Sequence, residues 1–292
     1  MDLKAIGMGL VFAAMWSSAF SSARIIVADA PPLTTLAIRF LISGLIAVAI
    51  AAAMGQPPRL RRGAARATIV FGICQNALYL GLNFVAMQWV EASLAAIIAS
   101  TMPLWVALAG WAIFGEGVRP LGIAGLVAGF AGVVVIMGAR LGGGADPLGV
   151  ALCGIGVLAL TFATLAVRGA SSGGNVLMIV GLQMLVGAAV LAVAGLTLET
   201  WAVTWSWMLI AAFAYTTLVP GLAATLVWFL LVRRIGAVRA ATFHFLNPFL
   251  GVAIAALLLG EALGPWDVVG VAVIMAGILA VQLSRQPAAA AT

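Results

Sequence analysis

The chain has 292 residues, of which 65% are hydrophobic and 8% are charged, and its mean hydropathy is +1.23. Soluble domains carry about 25% charged residues, so this composition excludes a soluble protein and indicates one that crosses a lipid bilayer several times. The net charge of +6 would suggest nucleic acid in a soluble protein. In a membrane protein the placement of Lys and Arg sets the orientation, and we expect no nucleic-acid partner.

Apolar stretches long enough to span a bilayer, about 20 residues each, follow one another along the chain. Breaks such as Pro31-Pro32 and Gly142-Gly143-Gly144 separate them. We therefore predict an all-α integral membrane protein, followed by a disordered tail at 286–292. The ten transmembrane helices are expected at 4–27, 33–54, 67–88, 92–114, 120–140, 147–168, 175–198, 206–232, 238–259 and 266–283.

One stretch of the sequence occurs twice, 145 positions apart. Pro103, Glu116 and Pro120 return as Pro248, Glu261 and Pro265, and the offset also relates pairs of glycines such as Gly125 and Gly270. The interpretation is an internal repeat of five helices, at 1–141 and 146–285. Because five is odd, the second copy must enter the membrane from the opposite side, so the repeats are inverted.

The basic residues predict which side of the membrane each loop faces. With the N-terminus inside, eleven of the fourteen Lys and Arg residues fall on the inner side and six of the eight acids on the outer side. This follows the positive-inside rule and predicts that both termini are cytoplasmic. Glu116 and Glu261, just before the predicted helices at 120–140 and 266–283, are expected to cap the first turns of those helices.

These features resemble the drug/metabolite transporter superfamily, in its two-repeat EamA type. The matching residues are Arg39, then Pro103 with Gly115 and Glu116, and the second copy Pro248 with Gly260 and Glu261. The resemblance implies a ten-helix inverted-repeat fold that moves small metabolites, often outward, across a bacterial inner membrane. Within the superfamily the chain looks most like YddG-type exporters of aromatic amino acids.

Polar and aromatic residues far from the membrane edges indicate where a substrate would bind, because such groups are costly in lipid unless they pair or face a wet cavity. We expect a central cavity lined by the first, third and fourth helices and their repeat mates, the sixth, eighth and ninth. The candidate binding residues are Trp16, Ser17, Asn76, Tyr79, Asn83, Ser100, Met102, Trp105, Thr161, Thr164, Trp228, Thr242, His244 and Asn247.

Each candidate also has a structural interpretation. Hydroxyls such as those of Ser17, Thr161 and Thr242 often bond their own helix backbone, and the asparagines could join helices. His244 could bind substrate or a coupling proton, or act as a neutral hydrogen-bond partner. Arg39 could attract a substrate carboxylate or pair with a neighbouring carbonyl.

No phosphate-binding loop of the GxxxxGK[ST] type occurs, so we expect a secondary transporter without ATP hydrolysis, catalytic residues, metal or cofactor. No acid falls near a predicted helix centre, which favours facilitated movement over proton exchange through His244. The expected cargo is a small molecule, with neutral or aromatic amino acids first. Nucleotide sugars, nucleosides and drugs are the alternatives, and an intramembrane enzyme is a further one, although it would need a nucleophile and base or a metal cluster.

Overall fold

The computed structural model describes residues 2–166 and 175–284. Arg168, the predicted break at 171–174, Arg285 and the predicted tail at 286–292 lie outside the described residues. Within the described part the chain is helical without strands, and ten helices are long and apolar enough to cross a membrane. They are α1 Leu3–Asp29, α2 Pro32–Ala53, α3 Arg62–Ala86, α4 Ala92–Phe114, α5 Pro120–Gly142, α6 Pro147–Ala166, α7 Val176–Leu198, α8 Trp207–Ile235, α9 Arg239–Leu259 and α10 Pro265–Ser284.

The ten-helix all-α prediction is confirmed, with most helix ends within a few residues of their expected positions. The largest difference is the start of α3, which begins at Arg62 and not at 67. Residues 62–66, two arginines and two alanines with one glycine, extend this helix beyond the apolar run, since arginine and alanine favour helix. Hydropathy alone therefore set the predicted start too late.

The helices form two compact units that do not coincide with the two sequence repeats. The first unit contains residues up to Ser21, Ala92–Ala145 and the chain from Ala223 onward. The second contains Ser22–Glu91 and Asp146–Leu222. Each unit thus takes helices from both halves of the sequence, and the division into repeats at 1–141 and 146–285 stays a prediction.

Glycines hold α5 and α10 together in the first unit. A side chain at Gly125 would lie 2.7 Å from the carbonyl oxygen of Gly277, and one at Gly132 would lie 2.9 Å from the carbonyl oxygen of Gly270. The two helices therefore run antiparallel with their backbones in direct contact, as small residues allow in membranes. Repeat-equivalent residues exchange roles in these contacts, because Gly125 corresponds to Gly270 and Gly132 to Gly277.

The second unit uses the same device between α2 and α7. A side chain at Gly44 would lie 3.1 Å from the Gly181 carbonyl oxygen, and one at Gly181 would lie 3.0 Å from the Gly44 carbonyl oxygen. Near the other end of this pair, a side chain at Gly195 would meet the Thr34 hydroxyl at 2.4 Å. Each unit is thus built on one antiparallel helix pair in close backbone contact.

Departures from regular α-helix recur at repeat-equivalent places. A widened π-helical stretch occupies Gly72–Tyr79 in α3, and another occupies Val219–Ala223 in α8. In α4 the helix is interrupted at Thr101, just before Pro103, and α9 carries a 3-10 stretch, Thr242–Leu246, just before Pro248. Proline removes one helix hydrogen bond, which explains the last two interruptions. Such irregular turns often mark functional parts of helices.

Glu261 corrects one expectation. Its carboxylate accepts hydrogen bonds from the backbone N–H groups of Ala92 at 2.7 Å and Ser93 at 2.9 Å, so it caps α4 and not the helix that follows it. Glu199 does the same for α2, where it accepts from Leu33 and Thr34 at 2.7 and 2.8 Å. The prediction identified the kind of bond, an acid on free helix amides, but assigned the wrong helix.

Contacts near helix ends occur within each unit. In the first unit Asp2 pairs with Arg234 at 2.5 Å, and in the second unit the Gln56 side chain accepts from the Met178 amide at 3.0 Å. The hydrogen bond from Arg234 holds the pKa of Asp2 below its ordinary value of 3.8. The first unit also contains an ion pair of Arg140 with Asp267 at 2.9 Å. The cytoplasmic location of both termini stays a prediction.

Candidate functional site

Four rings cluster in the first unit, where α1, α8 and α9 meet. The Phe12 ring centroid lies 4.8 Å from that of Trp228, 5.3 Å from that of His244 and 5.8 Å from that of Trp16. The His244 ring is 5.2 Å from Trp228 and 6.4 Å from Trp16. These separations are those of interacting aromatic pairs. We call Phe12, Trp16, Trp228 and His244 the aromatic cluster.

One residue of the aromatic cluster is buried and the other three are partly exposed. Phe12 is 2% exposed, whereas Trp16, Trp228 and His244 are only half-buried. Trp228 also packs on the small buried group of Ala5, Leu231 and Ala240. The rings of Trp16, Trp228 and His244 therefore pack on the buried Phe12 and keep part of their surface accessible. An accessible ring face can stack with a planar group.

A short chain of polar groups orients His244. The Asn247 side-chain nitrogen lies 2.9 Å from His244 Nδ1. An amide nitrogen can only donate, so this contact fits the neutral tautomer in which Nδ1 accepts and the ring proton is on Nε2. Ser17 Oγ lies 3.5 Å from the Asn247 side-chain oxygen, at the outer limit of a hydrogen bond. His244 thus offers an N–H donor on its other ring nitrogen.

Local backbone structure positions this polar chain. His244 lies in the 3-10 stretch Thr242–Leu246, and Asn247 begins the α-helical stretch that contains Pro248 near its start. A 3-10 helix turns in three residues, so His244 and Asn247, three apart, stand above one another. In addition, a side chain at Gly9 would overlap the Phe243 ring at 2.3 Å, so α1 and α9 are in close contact here. The proline break therefore brings His244 and Asn247 to α1.

Phe12 was missing from the predicted site, although it makes three ring contacts in the aromatic cluster, as many as His244. It stands four residues before Trp16, which puts both on one face of α1. That spacing was a usable signal in the sequence. Polarity had guided the choice of candidates, and a buried phenylalanine carries none.

The three candidates in α4 lie in the first unit but make other contacts. Trp105 packs edge-on against Phe130 of α5, with ring centroids 5.0 Å apart. The Ser100 hydroxyl donates to the carbonyl oxygen of Ile97 at 2.6 Å, within its own helix. Met102 is half-buried at the interruption before Pro103. No contact among those described ties these three residues to the aromatic cluster.

Asn76, Tyr79 and Asn83 lie in the second unit and serve helix contacts. All three are at most 3% exposed. The Asn76 side chain donates to the Gln183 carbonyl oxygen of α7 at 2.9 Å. Asn83 donates to the Tyr79 carbonyl oxygen at 2.8 Å, and a side chain at Gly156 of α6 would lie 2.8 Å from its amide nitrogen. The π-helical stretch Gly72–Tyr79 thus leaves Asn76 facing α7 and Asn83 facing α6.

Most hydroxyl candidates bond their own helix. Thr161 and Thr164 in the second unit donate to the carbonyl oxygens of Val157 and Leu160, each at 2.8 Å. Thr242 in the first unit donates to the Arg239 carbonyl oxygen at 2.6 Å. For Thr161 and Thr242 this is the structural alternative noted above, whereas Ser17 faces Asn247. Their role in binding stays a prediction.

The acidic residues are confined to helix ends and loops. All eight Asp and Glu residues of the chain belong to its described part, and the one furthest inside a helix, Asp267, is the third residue of α10. Within the described residues no group of three His, Cys, Asp or Glu side chains could hold a metal ion. The groups that could bind a ligand in the described part of the chain are therefore aromatic ring faces, side-chain amides and single basic side chains.

Comparison with known proteins gives two relatives at 27% identity. One is named an uncharacterized transporter, YvbV of Bacillus subtilis (strain 168), matched over 254 residues, 85% of this chain and 82% of the relative. The other is named an uncharacterized inner membrane transporter, YedA of Escherichia coli (strain K12), matched over 281 residues, 93% of this chain and 88% of the relative. Neither name states a substrate, so the resemblance to YddG-type aromatic exporters gains no support from them.

The fold and the family are shown by two further findings. A solved crystal structure that is 21% identical superposes with a TM-score of 0.69, over 98% of this chain and all of the other, and at that identity it supports the fold alone. The EamA-like transporter family matches residues 3–138 and 147–283. Because those two matches cover nearly the whole sequence, this chain is a multi-pass membrane protein that belongs to the EamA-like transporter family.

Proposed function

We propose that this EamA-like transporter moves neutral or aromatic amino acids outward across the bacterial inner membrane by alternating access. The aromatic cluster is the observation that carries the proposal. It offers partly open ring faces beside the N–H donor of His244 and the amide of Asn247. Such a combination suits a ring with a polar group attached. The name of YedA supports the inner membrane as the location.

The proposed transport is facilitated and needs no proton. Carboxylates at helix centres are the usual proton relays of transporters, and every acid of this chain stands at a helix end or in a loop. His244 is the remaining titratable group in the aromatic cluster, and its Nδ1 is engaged by Asn247. Flux should therefore follow the substrate gradient alone.

The two conformations of alternating access would differ in which glutamate caps a helix, Glu261 at α4 or Glu116 at α9. Glu261 caps the start of α4, and Glu116 is its repeat equivalent. The offset of 145 relates Ala92 and Ser93, whose amides Glu261 binds, to the first two residues of the helical turn Ala237–Ala241. In the opposite state Glu116 would cap that turn and Glu261 would release α4. Each conformation would thus have a glutamate cap at the start of one of these two helices and not of the other.

Uptake into liposomes tests the proposed function. The purified protein is reconstituted, and entry of labelled phenylalanine, tryptophan and threonine is measured with and without a pH gradient. Saturable aromatic flux that unlabelled substrate competes, and that the gradient leaves unchanged, is the expected result. Absence of flux for all three, from protein shown to be folded, would contradict the amino-acid proposal and favour nucleoside, nucleotide-sugar or drug cargo. Accumulation driven by the gradient, and abolished by His244→Ala, would contradict facilitated transport.

A further inference from the structure

Arg39 is a buried positive charge inside a membrane helix. It is the eighth residue of α2, about 10 Å along the axis from the start of that helix, where the hydrocarbon layer is about 30 Å thick. The residue is 6% exposed, and it is the one buried Lys or Arg of the chain where the structure describes side chains. A charge at such depth is costly and is retained where it pairs or serves a pathway.

One nitrogen of the Arg39 guanidinium has a hydrogen-bond partner in another helix. Nε donates to the carbonyl oxygen of Thr216 in α8 at 3.2 Å. That carbonyl lacks its usual helical partner because Pro220, four residues later, has no N–H. Of the two roles considered for Arg39 from the sequence, pairing with a neighbouring carbonyl is therefore the correct one for this nitrogen. Ser43, one turn further along α2, donates to the adjacent Thr217 carbonyl oxygen at 3.4 Å.

A neutral side chain would suffice for that structural task. At the repeat-equivalent junction of α3 and α7, the amide of Asn76 donates to the Gln183 carbonyl oxygen at 2.9 Å without any charge. A neutral donor, here on α3, therefore joins the equivalent helix pair, whereas the donor from α2 to α8 carries a charge. Some other interaction must compensate for burying it.

No negatively charged group among the residues that the structure describes touches the guanidinium. Its contacts among the described residues are the Thr216 carbonyl and the adjoining Phe40 ring, whose centroid lies 5.0 Å from Cζ. The terminal nitrogens Nη1 and Nη2 make no hydrogen bond to a described residue. Nη2 stands beside the widened turn of α8, 3.4 Å from where a side chain on Gly221 would begin. Two parallel donors and a positive charge are left for a ligand.

We propose that Arg39 binds the carboxylate of the transported substrate. A guanidinium presents paired N–H groups that fit the two oxygens of a carboxylate. One buried arginine balances one negative charge, which suits a carboxylate better than a doubly charged phosphate. The inference rests on the proposed amino-acid transport and assigns Arg39 the first of the two roles considered for it from the sequence.

Competition in proteoliposomes tests this assignment. Inhibition of labelled phenylalanine uptake is compared for unlabelled phenylalanine and for phenethylamine, which has the same ring and amine but no carboxylate. The wild type should prefer phenylalanine by about 10- to 100-fold, as expected for a charge-assisted hydrogen bond. Arg39→Gln should reduce this preference to less than about threefold, and Arg39→Lys should retain part of it because the charge remains.

Ser43→Ala is the control, because it removes the neighbouring bond to α8 without changing charge, and it should keep the wild-type preference. Retention of the full preference by folded Arg39→Gln would overturn the assignment. Equal inhibition of the wild type by the two compounds would also overturn it, even if the variant does not fold. Absence of phenylalanine flux in the wild type would instead refute the proposed function, so the two failures are distinguishable.

Discussion

The threonine candidates and Asn247 make different kinds of hydrogen bond inside these helices. The hydroxyls of Thr161, Thr164 and Thr242 are satisfied by carbonyl oxygens of their own helix. Asn247 instead donates to His244 and faces Ser17 of another helix. A hydroxyl on a helix can therefore be structurally complete by itself, whereas this amide depends on its neighbours. Depth and polarity in the sequence do not separate the two cases.

Replacing Asn247 tests this distinction. Asn247→Ala removes the donor that fixes His244, and we expect the KM for an aromatic amino acid to rise about 5- to 50-fold, the effect of leaving one buried acceptor unpaired. Thr242→Val removes a hydroxyl from the same turn while it keeps the shape, and it should change KM less than twofold. Uptake kinetics of the two variants, with thermal unfolding as a check of folding, decide the matter. Equal effects would show that Asn247 has no special role.

Antiparallel helix pairs are the elements on which each unit is built, and their glycines should be sensitive to small additions. Gly125→Ala would place a methyl group 2.7 Å from the Gly277 carbonyl oxygen, so the backbones would have to separate. Overpacking of this kind costs about 1–3 kcal/mol. We expect a fall of several degrees in the unfolding temperature in detergent.

Gly138→Ala is the matched control in the same helix, since no atom lies within 4 Å of its added methyl group. It should leave the unfolding temperature unchanged or raise it slightly, because alanine favours helix more than glycine does. If both variants destabilise equally, the loss reflects α5 itself and not its contact with α10.

The cap exchange is a second element-scale expectation. Ser93 is fully buried while Glu261 binds its amide. A cysteine at position 93, in protein whose Cys74 and Cys153 are replaced by alanine, should react slowly with a maleimide in detergent. Glu261→Gln removes two charge-assisted bonds and should speed the labelling about tenfold. Glu116→Gln, the same change at the exposed repeat equivalent, should slow it or leave it unaltered. Acceleration by both variants would contradict the exchange.

At the scale of the whole molecule, apolar length and punctuation in the sequence predicted all ten helices. The repeat also located the interruptions before Pro103 and Pro248, because a missing proline N–H acts locally. It did not predict that Glu261 binds α4, since a cap between distant segments depends on which helices become neighbours. It did not predict the π-helical stretches either, and these leave Asn76 facing α7 and Asn83 facing α6.

Orientation is a whole-molecule prediction that two cysteines can test. Gly117 and Ala262 occupy equivalent positions in the two repeats, and both are exposed. Inverted repeats with cytoplasmic termini place Gly117→Cys inside and Ala262→Cys outside. In intact spheroplasts a membrane-impermeant maleimide should label only position 262, and permeabilised cells should be labelled at both. Labelling of both positions in intact spheroplasts would contradict inversion.

The central claim is that the aromatic cluster of an EamA-like transporter binds the side chain of the transported amino acid. The most direct measurement compares phenylalanine uptake by proteoliposomes that contain the wild type, Trp228→Ala or Trp205→Ala. Trp205 is 72% exposed and outside the aromatic cluster, so the same substitution there is the control. We predict that Trp228→Ala raises KM about tenfold or more with the protein still folded, whereas Trp205→Ala stays within twofold. Wild-type kinetics in folded Trp228→Ala would contradict the claim.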